Sequence, residues 1–407
     1  MYKPLAKKPL INTMNINLLT LLLAIISMTN YGFAAENQSV TPGAWQTEAY
    51  FPLLEGKRVA VAGNHTTTIH DIHLVDSLLR AGIKVVKVFS PEHGFRGQAA
   101  AGEHVESGID QETGLPIISL YGANRRPTAE QLQDLDIIVF DIQDVGVRFY
   151  TYISTMTYIM EEAAKQGVPV LILDRPNPTG HYIDGPILEP EFSSFVGLHP
   201  VPIVHGMTIG EYAMMVNGEG WLKDGIRCEL QVVRIKNYTH ATPYHLPIPP
   251  SPNLPNMHAI YLYPSLCLFE GTEISLGRGT EKPFQVYGHP DFPKEHFPYS
   301  FTPKSVSAAP NPPHVNVLCY GIDLSGKDIR QLMIKDRINL DYIINAYNHF
   351  PDKESFFNPF FERLAGTAIL RQQIIDGLTA DEIRASWQEG LDAFAKTRAR
   401  YLLYGDV

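Results

Sequence analysis

The sequence predicts an α/β fold with a doubly wound, mostly parallel sheet. Two observations carry this. Between about residues 56 and 173, short apolar runs rich in β-branched residues alternate with amphipathic stretches. Such alternation is the pattern of βαβ units with right-handed crossovers. From about residue 175 the rhythm breaks into Pro- and Gly-rich segments, so a second, less regular part follows the sheet.

In order, Arg58–Gly63 reads as a buried strand and Ile72–Ala81 as a helix stopped by Gly82. Lys84–Phe89 is a second strand and Leu115–Leu120 a third. Thr128–Leu135 is helical, Asp136–Phe140 a strand, Tyr152–Gln166 a helix and Val168–Leu173 a strand. Thr208–Asn217 then reads as helix and Glu229–Ile235 as strand. Between them and beyond, Arg175–Pro202 and Pro243–Pro255, the latter with six prolines, form long loops of the kind that line a site or wrap a core. Regular structure resumes with a strand at Val315–Leu324 and helices at Leu340–Asn348 and Gly366–Gly377. Thr379-Ala-Asp-Glu382 is a capping box that opens a final helix to about Tyr401.

The 407 residues are 44% hydrophobic and 19% charged, enough to bury a core and too apolar for a disordered chain. Lys and Arg total 33 against 43 acids, a net charge of -10, and no basic run occurs, which argues against nucleic acid as a partner. Lys3, Lys7 and Lys8, the apolar run Leu18–Met28 and small residues at Gly32-Phe-Ala34 make residues 1–35 an export signal. The run is shorter than the ~20 apolar residues of a membrane span, so a periplasmic or secreted protein without a stable span is expected. The spacing of Cys228, Cys267 and Cys319 carries neither a disulfide framework nor a metal motif.

In an open parallel sheet, ligands bind beyond the carboxyl ends of the strands. Here three strands run into acids: Glu92 in Ser90-Pro-Glu-His-Gly94, Asp141 and Asp144 in Asp141-Ile-Gln-Asp144, and Asp174 in Asp174-Arg-Pro-Asn177. Asn64, His65 and the Thr66–Thr68 hydroxyls follow the first strand at the same edge. Convergent carboxylates beside His, Arg and Asn suit glycoside hydrolysis, in which one acid protonates the leaving oxygen and a second group activates water or attacks carbon. Each acid also has a structural reading, as a helix cap or as a partner of Arg96 or Arg148. Phe149-Tyr-Thr-Tyr152 reads equally as core or as sugar-stacking rings, and the Gly-broken segments containing Glu270 and Arg278 as surface loop or ligand contact. His65, His70 and His73 lie close together, with Asp71 as the expected helix cap, but no HExxH pattern occurs. Dinucleotide-binding, Walker A and GxSxG patterns are absent too. No metal and no cofactor is expected.

The blocks Ser90-Pro-Glu-His-Gly-Phe-Arg-Gly97, Phe140-Asp-Ile-Gln-Asp-Val-Gly-Val-Arg-Phe-Tyr150, Leu173-Asp-Arg-Pro-Asn-Pro178, Pro250-Ser-Pro-Asn253 and Leu268-Phe-Glu-Gly-Thr272 resemble the bacterial exo-β-N-acetylmuramidase family. The resemblance runs from about residue 50 to the C-terminus. It implies a Rossmann-like subdomain, placed at 50–240, and a smaller α+β subdomain at 241–407, with the active cleft between them. It implies release of N-acetylmuramic acid (MurNAc) from the non-reducing end of peptidoglycan fragments, so that MurNAc-containing muropeptides or disaccharides are the expected partners. Glu92 corresponds to the family's favoured catalytic residue, while Asp141, Asp144, Asp174 and Glu270 remain open as the second group. Candidate substrate contacts are Asn64, His65, His93, Arg96, Arg148, Tyr150, Arg175, Asn177, Asn253 and Arg278. Among these, Arg96, Arg148, Arg175 and Arg278 are the cations for the sugar's lactyl carboxylate. Two rival readings stay open: an exported muropeptide-binding protein without catalysis, and a metal-dependent cell-wall hydrolase using His65, His70 and His73.

Overall fold

A computed structural model describes residues 1–2, 39–96 and 107–406. The chain divides into two units, Met1–Ser39 and Val40–Val407, and the fold is that of the second. The basic start and apolar run of the expected export signal lie outside the described residues.

In chain order the strands are β1 (Val59–Gly63), β2 (Thr68–Ile69), β3 (Ile72–His73), β4 (Val85–Ser90), β5 (Gly108–Ile109) and β6 (Pro116–Ser119). They continue with β7 (Ile137–Asp141), β8 (Val170–Leu173), β9 (Leu230–Val233), β10 (Val286–His289), β11 (Tyr299–Phe301) and β12 (Cys319–Asp323). Seven of them form one sheet in the order β5-β6-β4-β1-β7-β8-β9. Every pairing in it is parallel except the short edge strand β5 against β6. From β1 the chain winds outward through β4 and β6, then returns to place β7 on the other side of β1. The direction of winding therefore reverses between β1 and β7, where Gly63 lies opposite Asp141. This is the predicted doubly wound sheet.

Alternation along the strands explains why both faces are covered. Ala60, Ala62, Ile138 and Phe140 join one apolar cluster with Ile153, Met156 and Ile159 of the helix Tyr152–Gln166. Val59, Val61 and Val139 join another with Leu74 and Leu78 of the helix Leu74–Arg80. Strands buried on both sides read as continuous apolar runs, which is why these elements were visible in the sequence.

Beyond the sheet lie the helix Met257–Leu266, a three-stranded antiparallel sheet β10-β12-β11, and helices ending in Ala380–Arg398. The helix Met257–Leu266 was not expected. Nearly all its residues are buried, so it has no polar stripe to reveal a 3.6-residue period, and Pro264 lies inside it. Asn256 caps it by accepting from the Ala259 N–H. The expected cap Asp71 is also corrected. Residues 68–73 form the small hairpin β2–β3, and His73 caps the following helix by accepting from the Val75 N–H at 3.3 Å.

The chain end returns to the large sheet. The Tyr404 hydroxyl donates to Asp174 at 2.6 Å and accepts from the Ile235 N–H at 2.8 Å. Leu403 N–H donates to Glu211 at 2.8 Å.

Arg148 ties the two parts of the chain together. It is fully buried, with no carboxylate partner among the described residues. Its guanidinium donates to the carbonyls of Pro186 and Val201 at 2.9 and 2.6 Å, and to those of Leu364 and Ala365 at 2.9 and 2.6 Å. Gly366 follows at φ +80°, where a Cβ would stand 2.5 Å from the Arg148 Nη2. Replacing Arg148 by Met leaves these carbonyls unpaired in the interior. The expected cost is about 3–5 kcal/mol, read as a lower urea midpoint; a midpoint like the wild type's would refute the tie.

Candidate active site

One cleft of about 720 Å³ is lined by residues from both parts of the chain. Glu92, Tyr121, Phe149 and Thr151 come from segments that follow β4, β6 and β7, while Tyr263, Glu270 and Arg278 come from the second part. Phe149 and Tyr263 meet edge to face at 5.4 Å, joining the two contributions.

Glu92 stands in a rigid turn. His93 and Gly94 after it are both left-handed, with φ of +70° and +78°. A non-glycine residue there costs roughly 1–2 kcal/mol, so His93 must be held. Its Nε2 bonds the Ser251 hydroxyl at 3.1 Å, the same hydroxyl accepts the Asn253 N–H at 3.2 Å, and the Asn253 side chain donates to the Ala308 carbonyl at 3.0 Å. Ala308 lies on the cleft wall. The Ser-Pro-Glu-His-Gly and Pro-Ser-Pro-Asn blocks thus meet as one brace that ties the Glu92 turn to that wall.

The Glu92 carboxylate is oriented from two sides, by the Tyr121 hydroxyl at 2.9 Å and the Thr151 hydroxyl at 3.3 Å. Burial, and then the Glu92 charge, push the Tyr121 phenol well above its ordinary range, so it remains a donor. The second cleft carboxylate, Glu270, pairs with Arg278. Burial is the largest influence and lowers the Arg278 pKa, but the Glu270 charge and hydrogen bond, with Cys267 and Tyr263, together turn the net shift upward.

The expected meeting of strand-end acids is corrected. Asp141 is sealed at the winding reversal by a bidentate pair with Arg175, at 2.5 and 2.8 Å. Burial works against the Arg175 charge, and Asp141 more than restores it. Asn64 fills the same crevice, donating to the Tyr152 hydroxyl at 2.9 Å and accepting from Thr66. Asp174 is enclosed by Tyr404, Thr208 and the Gly210 N–H, and burial pushes it to about 7 against these donors. Asp144 is buried and is not among the cleft-lining residues. Its Oδ2 accepts from the Gly146 N–H at 2.7 Å while its buried Oδ1 has no hydrogen-bond partner.

Of the expected binding residues, only Arg278 lines the cleft. Arg148 is spent on carbonyls, and Arg175 on Asp141. Arg96 pairs with Asp110 at 2.8 Å and also reaches Asp76 and Glu112. Asn177 braces Thr179 and the Met207 carbonyl, and the Tyr150 hydroxyl donates to the Pro250 carbonyl at 2.7 Å. The three histidines do not converge. His65 Nε2 bonds the Pro249 carbonyl, His70 packs on Trp45 and His73 Nε2 bonds the Asn64 carbonyl. Among the described residues no group of three or more His, Cys, Asp or Glu could hold a metal ion. Sequence reasoning missed Tyr121, Arg125, Phe195 and Arg363, which line the cleft from loops and a short helix without any motif.

Residues 59–258 match the family described as exo-β-N-acetylmuramidase NamZ, N-terminal, and residues 261–404 its C-terminal counterpart. The chain belongs to this exo-β-N-acetylmuramidase family of glycoside hydrolases. It is 40% identical to the peptidoglycan β-N-acetylmuramidase NamZ of Bacillus subtilis (strain 168), over 87% of this chain and 89% of that one. A solved DUF1343 family protein of Bacteroides fragilis NCTC 9343 is 52% identical, covering 91% of this chain and all of its own, with a TM-score of 0.85. A second from the same organism is 30% identical, covering 90% of this chain and 99% of its own, with a TM-score of 0.77.

Two tests follow from the geometry. Tyr121→Phe removes one orienting bond from Glu92 without altering the ring. Turnover should fall about tenfold or more at an unchanged melting temperature, and full turnover would show that the bond does not position the acid. Burial, opposed by the Gly146 and Val145 amides, pushes Asp144 up to about 7. With its folded-state pKa raised, its carboxyl favours folding below the unfolded value of 3.8, and that contribution is lost as pH rises to about 7. From pH 5 to pH 7 this group should lower stability by on the order of 1 kcal/mol per unit, beside a like contribution from Asp174 and an opposing one from the buried His199 and His205. Asp144→Asn should make the slope less negative by that amount, and identical slopes in both proteins would refute the assignment.

Proposed function

We propose that this enzyme releases MurNAc from the non-reducing end of peptidoglycan fragments, with Glu92 as general acid/base. The observation that carries the assignment is the placement of Glu92. It faces a cleft built by both parts of the chain, with its two oxygens fixed by Tyr121 and Thr151. From there the protonated acid can deliver its proton to the glycosidic oxygen as the C–O bond breaks.

Glu270 is the proposed second carboxylate. Of Asp141, Asp144, Asp174 and Glu270, it is the one that lines the cleft. Arg278 pairs with it and fixes its place on the wall, and a carboxylate there can activate water or attack the anomeric carbon. Phe149 and Tyr263 supply apolar ring surface beside the acids, of the kind that packs against the face of a sugar.

The protein is further proposed to act outside the cytoplasm, in the periplasm or as a secreted enzyme. The support is the pattern of residues 1–35: three lysines, an apolar run and small residues before Ala35. Among the described residues no helix is long and apolar enough to cross a membrane.

The deciding assay follows free MurNAc released from a MurNAc-GlcNAc disaccharide, with and without EDTA. Wild-type enzyme should release it equally in both. Glu92→Gln should slow release by about a thousandfold or more while keeping the melting temperature. Saturable binding without release would favour a non-catalytic binding protein, loss with chelator a metal hydrolase, and near-normal turnover by Glu92→Gln would remove that residue from its role.

A further inference from the structure

The cleft holds more positive charge than its acids consume. Three guanidiniums line it, those of Arg125, Arg278 and Arg363. Arg278 is matched by Glu270. Among the described residues, Arg125 and Arg363 have no carboxylate partner, and both side chains are exposed. An unmatched guanidinium pair in the substrate cleft of a protein with net charge -10 calls for an anion from outside the chain.

Both cations rest on one short segment. The Arg125 guanidinium lies over the Phe195 ring at 4.2 Å, and Arg363 donates to the Ser193 carbonyl at 3.2 Å. That segment is itself fixed. Ser194 and Gly197 exchange two backbone bonds at 2.8 and 2.9 Å, and Gly197 packs against the buried Arg148 side chain. Arg148 in turn holds the Leu364 and Ala365 carbonyls next to Arg363. The two guanidiniums come from distant parts of the chain and are brought to the same place by one buried post. Arg125 is held by a ring face and Arg363 by a single carbonyl, so both keep N–H groups available for an incoming oxygen anion.

We infer that Arg125 and Arg363 form a carboxylate receptor that selects the lactyl-bearing sugar, a role that neither Arg96, Arg148 nor Arg175 is free to fill. This rests on the functional reading above, because the lactyl carboxylate is what distinguishes MurNAc from GlcNAc. Charge-assisted bonds to a carboxylate give discrimination when the anion is present and none when it is absent.

The test is binding of free MurNAc and free GlcNAc, measured by ligand-observed NMR titration on wild type, R125Q, R363Q and the double variant. Both side chains are exposed, so the variants should keep the wild-type melting temperature. Wild type should favour MurNAc about tenfold or more. Each single variant should lose about three- to tenfold of that ratio and the double variant all of it, with GlcNAc binding unchanged. In turnover of the MurNAc-GlcNAc disaccharide, KM should rise while kcat is largely kept. A double variant that retains the wild-type ratio, or a wild type with no preference, overturns the receptor. A wild type that releases no MurNAc from the disaccharide defeats the functional reading itself, an outcome separate from retained selectivity in an active enzyme.

Discussion

Placing a guanidinium in a protein interior without a carboxylate is unfavourable unless its hydrogens find acceptors. At Arg148 the acceptors are four backbone carbonyls, two from the loops after β8 and two from the helix Phe361–Ala365. Because carbonyls rather than a side-chain acid receive both terminal nitrogens, while the buried Nε has no partner, the bond set fixes main chain to main chain. The loop that carries Phe195 and the helix that carries Arg363 are held in one geometry, and the cleft wall is built on both. The shape of the site thus depends on a residue that never reaches it.

The same logic appears at the strand ends. A doubly wound sheet opens a crevice where its winding reverses, and many proteins of this architecture bind a ligand there. Here Asp141, Arg175, Asn64, Thr66 and Thr67 close it with their own hydrogen bonds. The usable cleft is displaced toward the loops after β4 and β6 and completed by the second part of the chain. Asp174 is likewise consumed internally, since it anchors the helix Ile209–Glu219 through Thr208 and Gly210. Acids in equivalent sequence contexts therefore have unlike environments, and only the one followed by the left-handed His93-Gly94 turn points to the cleft.

Most of the parallel sheet was legible because buried strands and capped helices leave local signatures. β1, β4, β7 and β8 are apolar runs of the right length, and the Thr208 and Thr379 boxes mark helix starts. Glu92 was legible through its surrounding block. Asp141 and Asp174 were read as site residues because a strand-end acid looks the same whether an internal arginine, a hydroxyl or a substrate receives it. Partner choice is a long-range property, as the separation of Asp174 from Tyr404 illustrates. Arg125 and Arg363 were invisible for the complementary reason. Each is an ordinary surface arginine until the fold sets it beside the other's supporting segment.

The bond between Tyr404 and Asp174 has a consequence for biosynthesis. Residue 404 leaves the ribosome 230 residues after Asp174, once every strand of the large sheet has been made. Until residues 403 and 404 emerge, the interior carboxylate lacks one of its donors, and Glu211 lacks the Leu403 amide. The parallel sheet can gather early, but the hydrogen bonds that enclose Asp174 and Glu211 wait for residues 403 and 404.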